Sequence, residues 1–440
     1  MNLLKSEKQK RYFLYLLIAL STIPFIFFVN LPESWSITDQ NIKSLALYAS
    51  AVLGYVGVSL IMWEFILGTR SVTGLYFKDL PQLLKVHSLL GKYGTILIFL
   101  HPLLVTISYG ESLLYSFTLN FSSTFNSAVS WGRLSFFALI IVWVTSALVR
   151  GKISFRPWKY IHYLAYLSIP FVLLHVPDTG SSFNNTFIQF YWYSVVILFN
   201  IFGALRLRHI FGYGKLKYKI VAQTQIKPDV FNLQLAPATK NITINQGQYI
   251  YIQKSLLSEE HPFTVLDSNS KTGEILVAYK VFGSYTKKMS KLKAGDYVNI
   301  DGPYGVFTSQ LLLEPTKKTV FIAGGIGITP FVKYIIKQPK NADYWLFYAN
   351  KHKKNAPFRD ILKSCLQNKY IDIISQDKDA PISNEQRGHI CKEHIAKYIN
   401  NPADYNYYIC GASGMMDSAQ SALKDLKVPK NQIFIEDFSF

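Results

Sequence analysis

The sequence predicts a multi-domain membrane protein: a six-helix transmembrane bundle, then a small antiparallel β-barrel, then an α/β domain on a parallel sheet. Three observations carry that reading. Six long apolar stretches fill the first half of the chain. After Gly214 they give way to short alternating strands separated by turn signals. From Lys317 the pattern becomes strand, glycine-rich turn, helix, strand, the signature of a parallel sheet. The composition agrees. Of 440 residues, 50% are apolar, 15% aromatic and 17% charged, where soluble domains average about 25% charged. The aromatic load excludes disorder, and three cysteines (Cys365, Cys391, Cys410) are too few for a disulfide scaffold. The net charge of +19 invites a nucleic-acid reading. Residues 1–210, however, carry 16 Lys+Arg against 7 Asp+Glu while being mostly apolar, which is the pattern of membrane helices with basic loops. No nucleic-acid partner is expected.

A span needs about 20 apolar residues. The candidates are 12–29, 45–67, 86–108, 133–149, 160–176 and 188–205. The first is long and has no small-residue cleavage site before Pro32, so it reads as a span and not as a signal peptide. Lys5, Lys8, Lys10 and Arg11 precede it. Arg70, Lys78 and Lys85 follow the second span, Arg150, Lys152, Arg156 and Lys159 the fourth, and Arg206 and Arg208 close the sixth. The alternate loops hold only Lys43. Basic loops stay inside, so both termini are expected in the cytoplasm, with the chain in the cell membrane. The expected domains are 1–210 (six spans), 211–312 (barrel) and 313–440 (α/β domain).

Four of the nine histidines fall in spans: His87 and His101 in the third, His162 and His175 in the fifth. Ionisable groups at membrane depth default to a functional reading. At about 1.5 Å per residue each pair is spread roughly 20 Å along its helix. Both helices run outward, so His87 and His162 form an inner pair and His101 and His175 an outer pair. Facing histidines are the axial ligands of a six-coordinate haem, and two level-matched pairs make an electron wire. Fourteen residues return near the same helix face, but thirteen miss by about 140° on a straight helix; a kink at Pro170 is expected to correct this. Gly91 and Gly94 are expected to let a flat macrocycle approach the third span. Arg133, read as the outer start of the fourth span, is a candidate for outer-haem propionates, and Lys85, Lys92, Arg156 and Lys159 for the inner haem. Snorkelling to headgroups is the alternative for each.

In the second half, His261-Pro262-Phe263-Thr264 follows the strand Gln248–Ile252. A flat redox ring needs a stacking face and a hydrogen-bond donor near its reactive nitrogen, which Phe263 and Thr264 offer. Gly283-Ser284-Tyr285-Thr286 precedes a helix-like segment, and glycine with hydroxyls there suits a pyrophosphate. The strand from Lys317 runs into Gly324-Gly325-Ile326-Gly327-Ile328-Thr329-Pro330, and Tyr407–Cys410 into Gly411-Ala412-Ser413-Gly414. Two glycine turns at the carboxyl ends of parallel strands mark a dinucleotide crevice. The spacing is not G-x-G-x-x-G. Lys351, Lys353 and Lys354 follow another strand; they suit a 2′-phosphate or belong to a solvated loop. An aromatic end, Phe440, suits stacking on a flavin and displacement by nicotinamide.

On these motifs, with Gly302-Pro-Tyr-Gly305, the second half resembles the ferredoxin–NADP+ reductase superfamily. The whole chain from Tyr12 to Phe440 resembles the NADPH oxidase / ferric reductase family, most closely its short bacterial members. The resemblance implies FAD held by His261–Thr264 and Gly283, Ser284 and Thr286. It implies NADPH (or NADH) held by Gly324, Gly325, Gly327, Thr329, Pro330, Lys351, Cys410, Gly411 and Gly414. It also implies two b-type haems on the four histidines and a terminal Phe440 covering the flavin. Lys351 stands where NADPH-preferring relatives often have arginine. No calcium-binding loop and no regulatory-subunit site is recognised.

The expected activity is an oxidoreductase passing electrons from NADPH through FAD and both haems to an acceptor on the outer face. The outer loops hold few metal ligands, Glu111 and Asp178, which favours O2, giving superoxide, over Fe3+ or Cu2+. Supply of electrons to an extracytoplasmic partner protein is a third reading. A non-enzymatic transporter with a nucleotide-sensing tail is the alternative of another class, and it predicts neither haem nor flavin.

Overall fold

The computed structural model describes residues 3–32, 34–36, 38–180, 182–339, 341–377 and 385–437. It divides into two compact units, Lys8–Phe77 with Gln82–Leu207, and Met1–Glu7 with Lys78–Pro81 and Arg208–Phe440.

The first unit carries six helices long and apolar enough to cross a membrane: Ser6–Phe28, Asn41–Leu67, Leu80–Tyr109, Thr124–Leu148, Phe155–Thr179 and Thr186–Ile210. Each overlaps one span expected from the sequence. Two run past the apolar stretch because a polar cap starts them earlier. The Thr38 hydroxyl accepts from the Asn41 amide at 3.4 Å, and the Ser123 hydroxyl accepts from the Asn126 amide at 3.1 Å. The second cap moves the fourth helix start to Thr124. Arg133 is therefore well inside that helix, not at its outer start. Phe25, Tyr55, Phe65, Ile169, Ile188 and Trp192 fill the interior of the unit, while Leu97, Leu100, Leu103 and Ile107 of the third span are exposed, as a lipid-facing side requires.

The fifth span is not one helix. Phe155–His162 ends directly after the histidine, and a second helix runs Ala165–Thr179 with Pro170 inside it. Across the break the amides of Tyr163, Leu164, Tyr166 and Leu167 bond carbonyls three residues back. That is 3₁₀ winding, which adds about 20° per residue over an α-helix. Over five residues it recovers roughly 100° of the 140° deficit. Much of the phase correction that the spacing requires thus comes from Tyr163–Leu167, ahead of Pro170. The third and fourth spans each contain a π-turn, Leu90–Gly94 and Val144–Leu148. The Trp143 indole donates to the Lys92 carbonyl at 2.9 Å, tying the two together.

The second unit holds a closed barrel of β1 (Leu216–Lys227), β2 (Val230–Pro237), β3 (Tyr249–Gln253), β4 (Glu260–Ser268), β5 (Ile275–Lys280) and β6 (Tyr297–Tyr304), in the order β1-β2-β5-β4-β3-β6. Its filling is Tyr218, Leu233, Ile250, Val277 and Ile300 among others. The parallel sheet has the order β10-β9-β8-β7-β11-β12, from β7 (Thr319–Gly324), β8 (Tyr344–Asn350), β9 (Tyr370–Ile374), β10 (Glu385–Arg387), β11 (Asn406–Cys410) and β12 (Ile433–Glu436). Strand β7 shows why this run of apolar residues makes a central strand. Phe321 and Ala323 belong to the core on one face, Val320 and Ile322 to the core on the other, so both faces are buried. Tyr334 fixes the sheet domain to the barrel by donating to the carbonyls of Gln246 and Thr308 at 3.2 and 3.3 Å. Lys333 pairs with Asp267 beside it.

Candidate functional site

In the membrane unit the four histidines meet in the two expected pairs. The ring centres of His87 and His162 are 6.1 Å apart at 68°, and those of His101 and His175 are 6.3 Å apart at 81°. Each Nδ1 is engaged: His87 with the Glu64 carbonyl at 3.1 Å, His101 with Ser50 at 2.7 Å, His175 with Ala128 at 2.9 Å, and His162 with the Ser146 hydroxyl at 3.2 Å. Such bonds fix ring orientation and leave Nε2 as the ligating atom. An imidazole nitrogen sits about 2.0 Å from a metal and roughly 1.2 Å from its ring centre, which puts two axial rings about 6.4 Å apart. Both pairs fit an iron between them.

The surroundings differ from expectation in one respect. A Cβ on Gly91 meets the Glu64 carboxylate at 3.4 Å, and one on Gly94 meets Leu60 at 2.9 Å. Those glycines face the second span. The glycines against the ligand rings are Gly132, whose Cβ would lie 2.6 Å from His175, and Gly54, 3.1 Å from His101. Both line a cavity of about 210 Å³ with His101, His175 and Arg133. Arg133 is 8% exposed. It donates to the Thr118 carbonyl, and its guanidinium lies 4.3 Å from the Tyr115 ring centre. One terminal nitrogen, Nη2, has no partner among the described residues. A buried, half-satisfied cation beside the outer pair suits an acidic group.

Around the inner pair, Lys92 lies 5.1 Å from the Tyr93 ring and Lys159 5.9 Å from the Tyr163 ring. Two residues not singled out from the sequence lie nearer. Trp158 stacks on His162 at 5.0 Å and donates to Ser146 at 3.1 Å. Arg206 donates to the Gly68 carbonyl at 3.1 Å, and Gly68 abuts His87. Neither has a sequence signal that separates it from an ordinary interfacial Trp or Arg.

In the second unit, β3 pairs with β4 along His261–Thr264 (Ile252↔His261, Tyr251↔Pro262, Ile250↔Phe263, Tyr249↔Thr264). Strand β5 pairs with β4 only from Val265 onward. The two strands therefore splay, and β4 has an open edge along its first residues. An open edge is where a strand tolerates a proline such as Pro262. Gly283–Thr286 follows β5 and borders the same gap. Its Tyr285 stacks on His261 with ring centres 3.9 Å apart and faces Phe263 at 6.3 Å. Gly283 has φ +86°, and Ser284 beside it is exposed. The Thr286 hydroxyl accepts from the Phe282 amide at 2.7 Å, locking that turn. Thr264 is buried, 5% exposed.

The two glycine turns lie side by side at the carboxyl end of the parallel sheet. A Cβ on Gly327 would meet the Cys410 carbonyl at 2.4 Å, and one on Gly411 would meet Gly324 at 2.9 Å. The backbones touch, so no side chain fits between them. Gly325 has φ +54°. Thr329 and Pro330 open the helix Thr329–Ile336, whereas Gly414 and Lys351 are exposed. In the lysine loop Asp377 accepts from His352 at 2.6 Å and from the Lys353 amide at 2.8 Å, and these bonds, the amide's foremost, hold its carboxyl below the usual range. Phe440 lies outside the described residues.

Glu436, not anticipated, pairs in register with Cys410 and is 3% exposed. Burial pushes its carboxyl well above the ordinary range, and the neighbouring Asp79 adds to the effect; burial likewise raises the Cys410 thiol. His209, Glu260 and Asp301 bring ligand atoms within 4.8 Å of one another. The Lys215 ammonium, 2% exposed, already pairs with Glu260, so a cation occupies this group and it reads as an ion-pair network.

Three family models match the chain in order. "Ferric reductase like transmembrane component" covers residues 53–173, "Oxidoreductase FAD-binding domain" 217–308 and "Oxidoreductase NAD-binding domain" 321–421. Ferric reduction oxidase 4 of Arabidopsis thaliana is 26% identical over 70% of this chain and 44% of its own. Ferric reductase transmembrane component 5 of Saccharomyces cerevisiae is 31% identical over 29% of this chain and 19% of its own. The chain thus spans less than half the length of either relative. Among solved structures, the flavohemoglobin of Malassezia yamatoensis aligns at a TM-score of 0.49 with 19% identity, over 92% of this chain and 99% of that one.

Proposed function

The chain belongs to the ferric reductase / NADPH oxidase-like family, and from that premise we propose that it moves electrons from cytoplasmic NADPH across the cell membrane to O2 on the outer face, forming superoxide. The observation that carries the reading is the pair of histidine pairs spaced 6.1 and 6.3 Å, each ring fixed through Nδ1. Bound FAD supplies the conversion of a hydride into single electrons, and two haems supply one-electron relay.

The protein's own residues position and exclude. His87 with His162, and His101 with His175, would hold the two haem irons, and Arg133, with Nη2 unpartnered among the described residues, would meet an acidic group of the outer one. His261–Thr264 and Gly283–Thr286 would hold FAD at the gap between β4 and β5, where Thr264 would supply a hydroxyl donor. Gly324, Gly325, Gly327, Thr329, Pro330, Cys410, Gly411 and Gly414 admit the dinucleotide, and Lys351 meets a 2′-phosphate. The domains in this reading are 1–210, 211–312 and 313–440, with both termini cytoplasmic. With a histidine on each side, a bound haem would offer no open site on its iron, which would favour electron transfer to O2 without ligation.

A second reading is Fe3+ reduction along the same path, favoured by the names of the Arabidopsis and yeast relatives. Against a held metal chelate, the group of three metal-ligating side chains found among the described residues lies in the barrel unit. The deciding experiment is NADPH oxidation in air by purified, FAD-supplemented protein, with cytochrome c reduction followed with and without superoxide dismutase. Dismutase-sensitive reduction supports the oxidase. Haem reduction without superoxide, together with Fe3+-chelate reduction, supports the reductase. Failure of NADPH to reduce flavin or haem removes both.

A further inference from the structure

The barrel unit exposes a small apolar loop that the electron path does not use. Between β3 and β4 the chain reads Lys254-Ser-Leu-Leu-Ser258, and Leu256 and Leu257 are 48% and 73% exposed. The loop is held in a fixed shape. The Ser258 amide and hydroxyl both donate to the Ser255 carbonyl, at 3.0 and 2.7 Å. The Ser258 hydroxyl in turn accepts from the Ser255 amide at 3.2 Å, and the Gln253 side chain donates to the Ser258 carbonyl at 2.8 Å. Within this frame Leu257 takes a φ of +68°, a left-handed conformation that leucine disfavours. Two large apolar side chains are thus presented to the outside by a turn that tolerates backbone strain to do so, and observed strain of this kind points to function.

The position of the loop indicates what covers it. A Cβ on Gly212 would lie 2.8 Å from Leu256, and Gly212 comes two residues after the sixth membrane-crossing helix ends at Ile210. That exit segment exposes Phe211 (64%) and Tyr213 (63%), and the Arg208 guanidinium lies 4.9 Å from the Tyr213 ring centre. Exposed apolar groups with aromatic rings, Arg208 and Lys254, continuous with the end of a lipid-facing helix, have the make-up of a headgroup-level anchor. The nearby acids face other partners: Glu260 pairs with Lys215, and Glu259 lies 3.6 Å from His261.

We propose that Leu256 and Leu257 insert into the headgroup–acyl boundary of the leaflet from which the sixth span emerges, anchoring the flavin-side barrel to lipid. The proposal rests on the membrane-crossing reading of the six helices but not on the identity of the acceptor. The test uses the full chain in phosphatidylcholine nanodiscs, with Cys365 and Cys391 replaced by serine and the buried Cys410 kept. A bimane label is placed at Leu257→Cys and, as reference, at Leu312→Cys, another exposed leucine of the same unit (47%). Quenching by lipid carrying a nitroxide near the headgroup is expected to be at least about twofold stronger at 257 than at 312. Equal quenching overturns the proposal. So does a 257 label reached freely by aqueous iodide, or one shielded from both quenchers by packing on protein. Where the labelled variants fail to fold, amide exchange of residues 254–258 in the unmodified protein decides: slower exchange in nanodiscs than in delipidated detergent micelles supports the anchor, and equal exchange overturns it. NADPH reduction of the haems in the same samples reports the electron path separately.

Discussion

His175 shows how much of the site rests on single atoms. Its ring faces His101 at 6.3 Å, and Gly132 leaves it room, a Cβ there falling 2.6 Å from the ring. Under the two-haem proposal, His101→Leu is expected to lower the haem content from two per chain to one, read by pyridine haemochrome against protein. Gly132→Val is expected to do the same by displacing His175, while His87 and His162 keep theirs. Glu436 gives a second prediction. Its carboxyl titrates well above the ordinary range when folded, because burial disfavours the charge. A raised folded pKa means the unfolded chain binds fewer protons above the ordinary carboxylate range, so stability falls as pH rises. Glu436→Gln is expected to unfold at a midpoint that changes less between pH 6 and 9 than the parent's; parallel curves would remove the assignment. The exposed Lys351 belongs at this scale too. Lys351→Ala is expected to raise KM for NADPH several-fold and leave KM for NADH nearly unchanged, since only the former carries the 2′-phosphate.

At the scale of elements, the fifth span and the β4–β5 gap are informative. A straight helix puts His162 and His175 on different faces, and the 3₁₀ winding at Tyr163–Leu164 brings them together. The gap exists because β4–β5 pairing begins only at Val265, so two motifs some twenty residues apart border one groove. Elements of the sheet domain are joined by a buried ion pair. Arg359, opening the helix Arg359–Leu366, donates to Asp372 of β9 at 2.6 and 3.1 Å, and the Tyr370 hydroxyl donates to the same carboxylate at 2.8 Å. Asp372 is 3% exposed. Removing only the cation leaves that charge uncompensated, so Arg359→Ala is expected to destabilise by about 3 kcal/mol in denaturant unfolding. Asp267→Asn, breaking the more exposed Lys333 pair, is expected to change stability by less than about 1 kcal/mol.

For the whole molecule, the arrangement of basic loops supports the proposed direction. All three cysteines lie in the second unit, and the orientation proposed here puts that unit in the cytoplasm. A membrane-impermeant maleimide is expected to leave intact cells unlabelled and to modify Cys365 and Cys391 in inverted vesicles. Cys410, buried and with its thiol raised by that burial, is expected to stay unmodified in both. Labelling of intact cells would reverse the orientation and the electron path with it.

The number of apolar helices, the pairing of the histidines, the barrel-then-sheet order and the presence of FAD- and NAD-binding domains were legible in the sequence. Each depends on composition or spacing within one segment: the length of an apolar run, a rise per residue, a glycine turn after a strand. The sequence missed the winding after His162, the contacts of Gly91 and Gly94 with the second span and the start of the fourth helix at Thr124, and it passed over Trp158, Arg206 and Glu436. The helix start and the winding are local, set by the Ser123 cap and by backbone bonds after His162, whereas the rest is decided by what a distant segment brings alongside. Gly94 faces Leu60, Gly132 faces His175, and Glu436 lies beside Cys410. A residue's own neighbours in the chain record its propensity and its level in the membrane; which ring, backbone or charge it meets is set only when helices and strands pack.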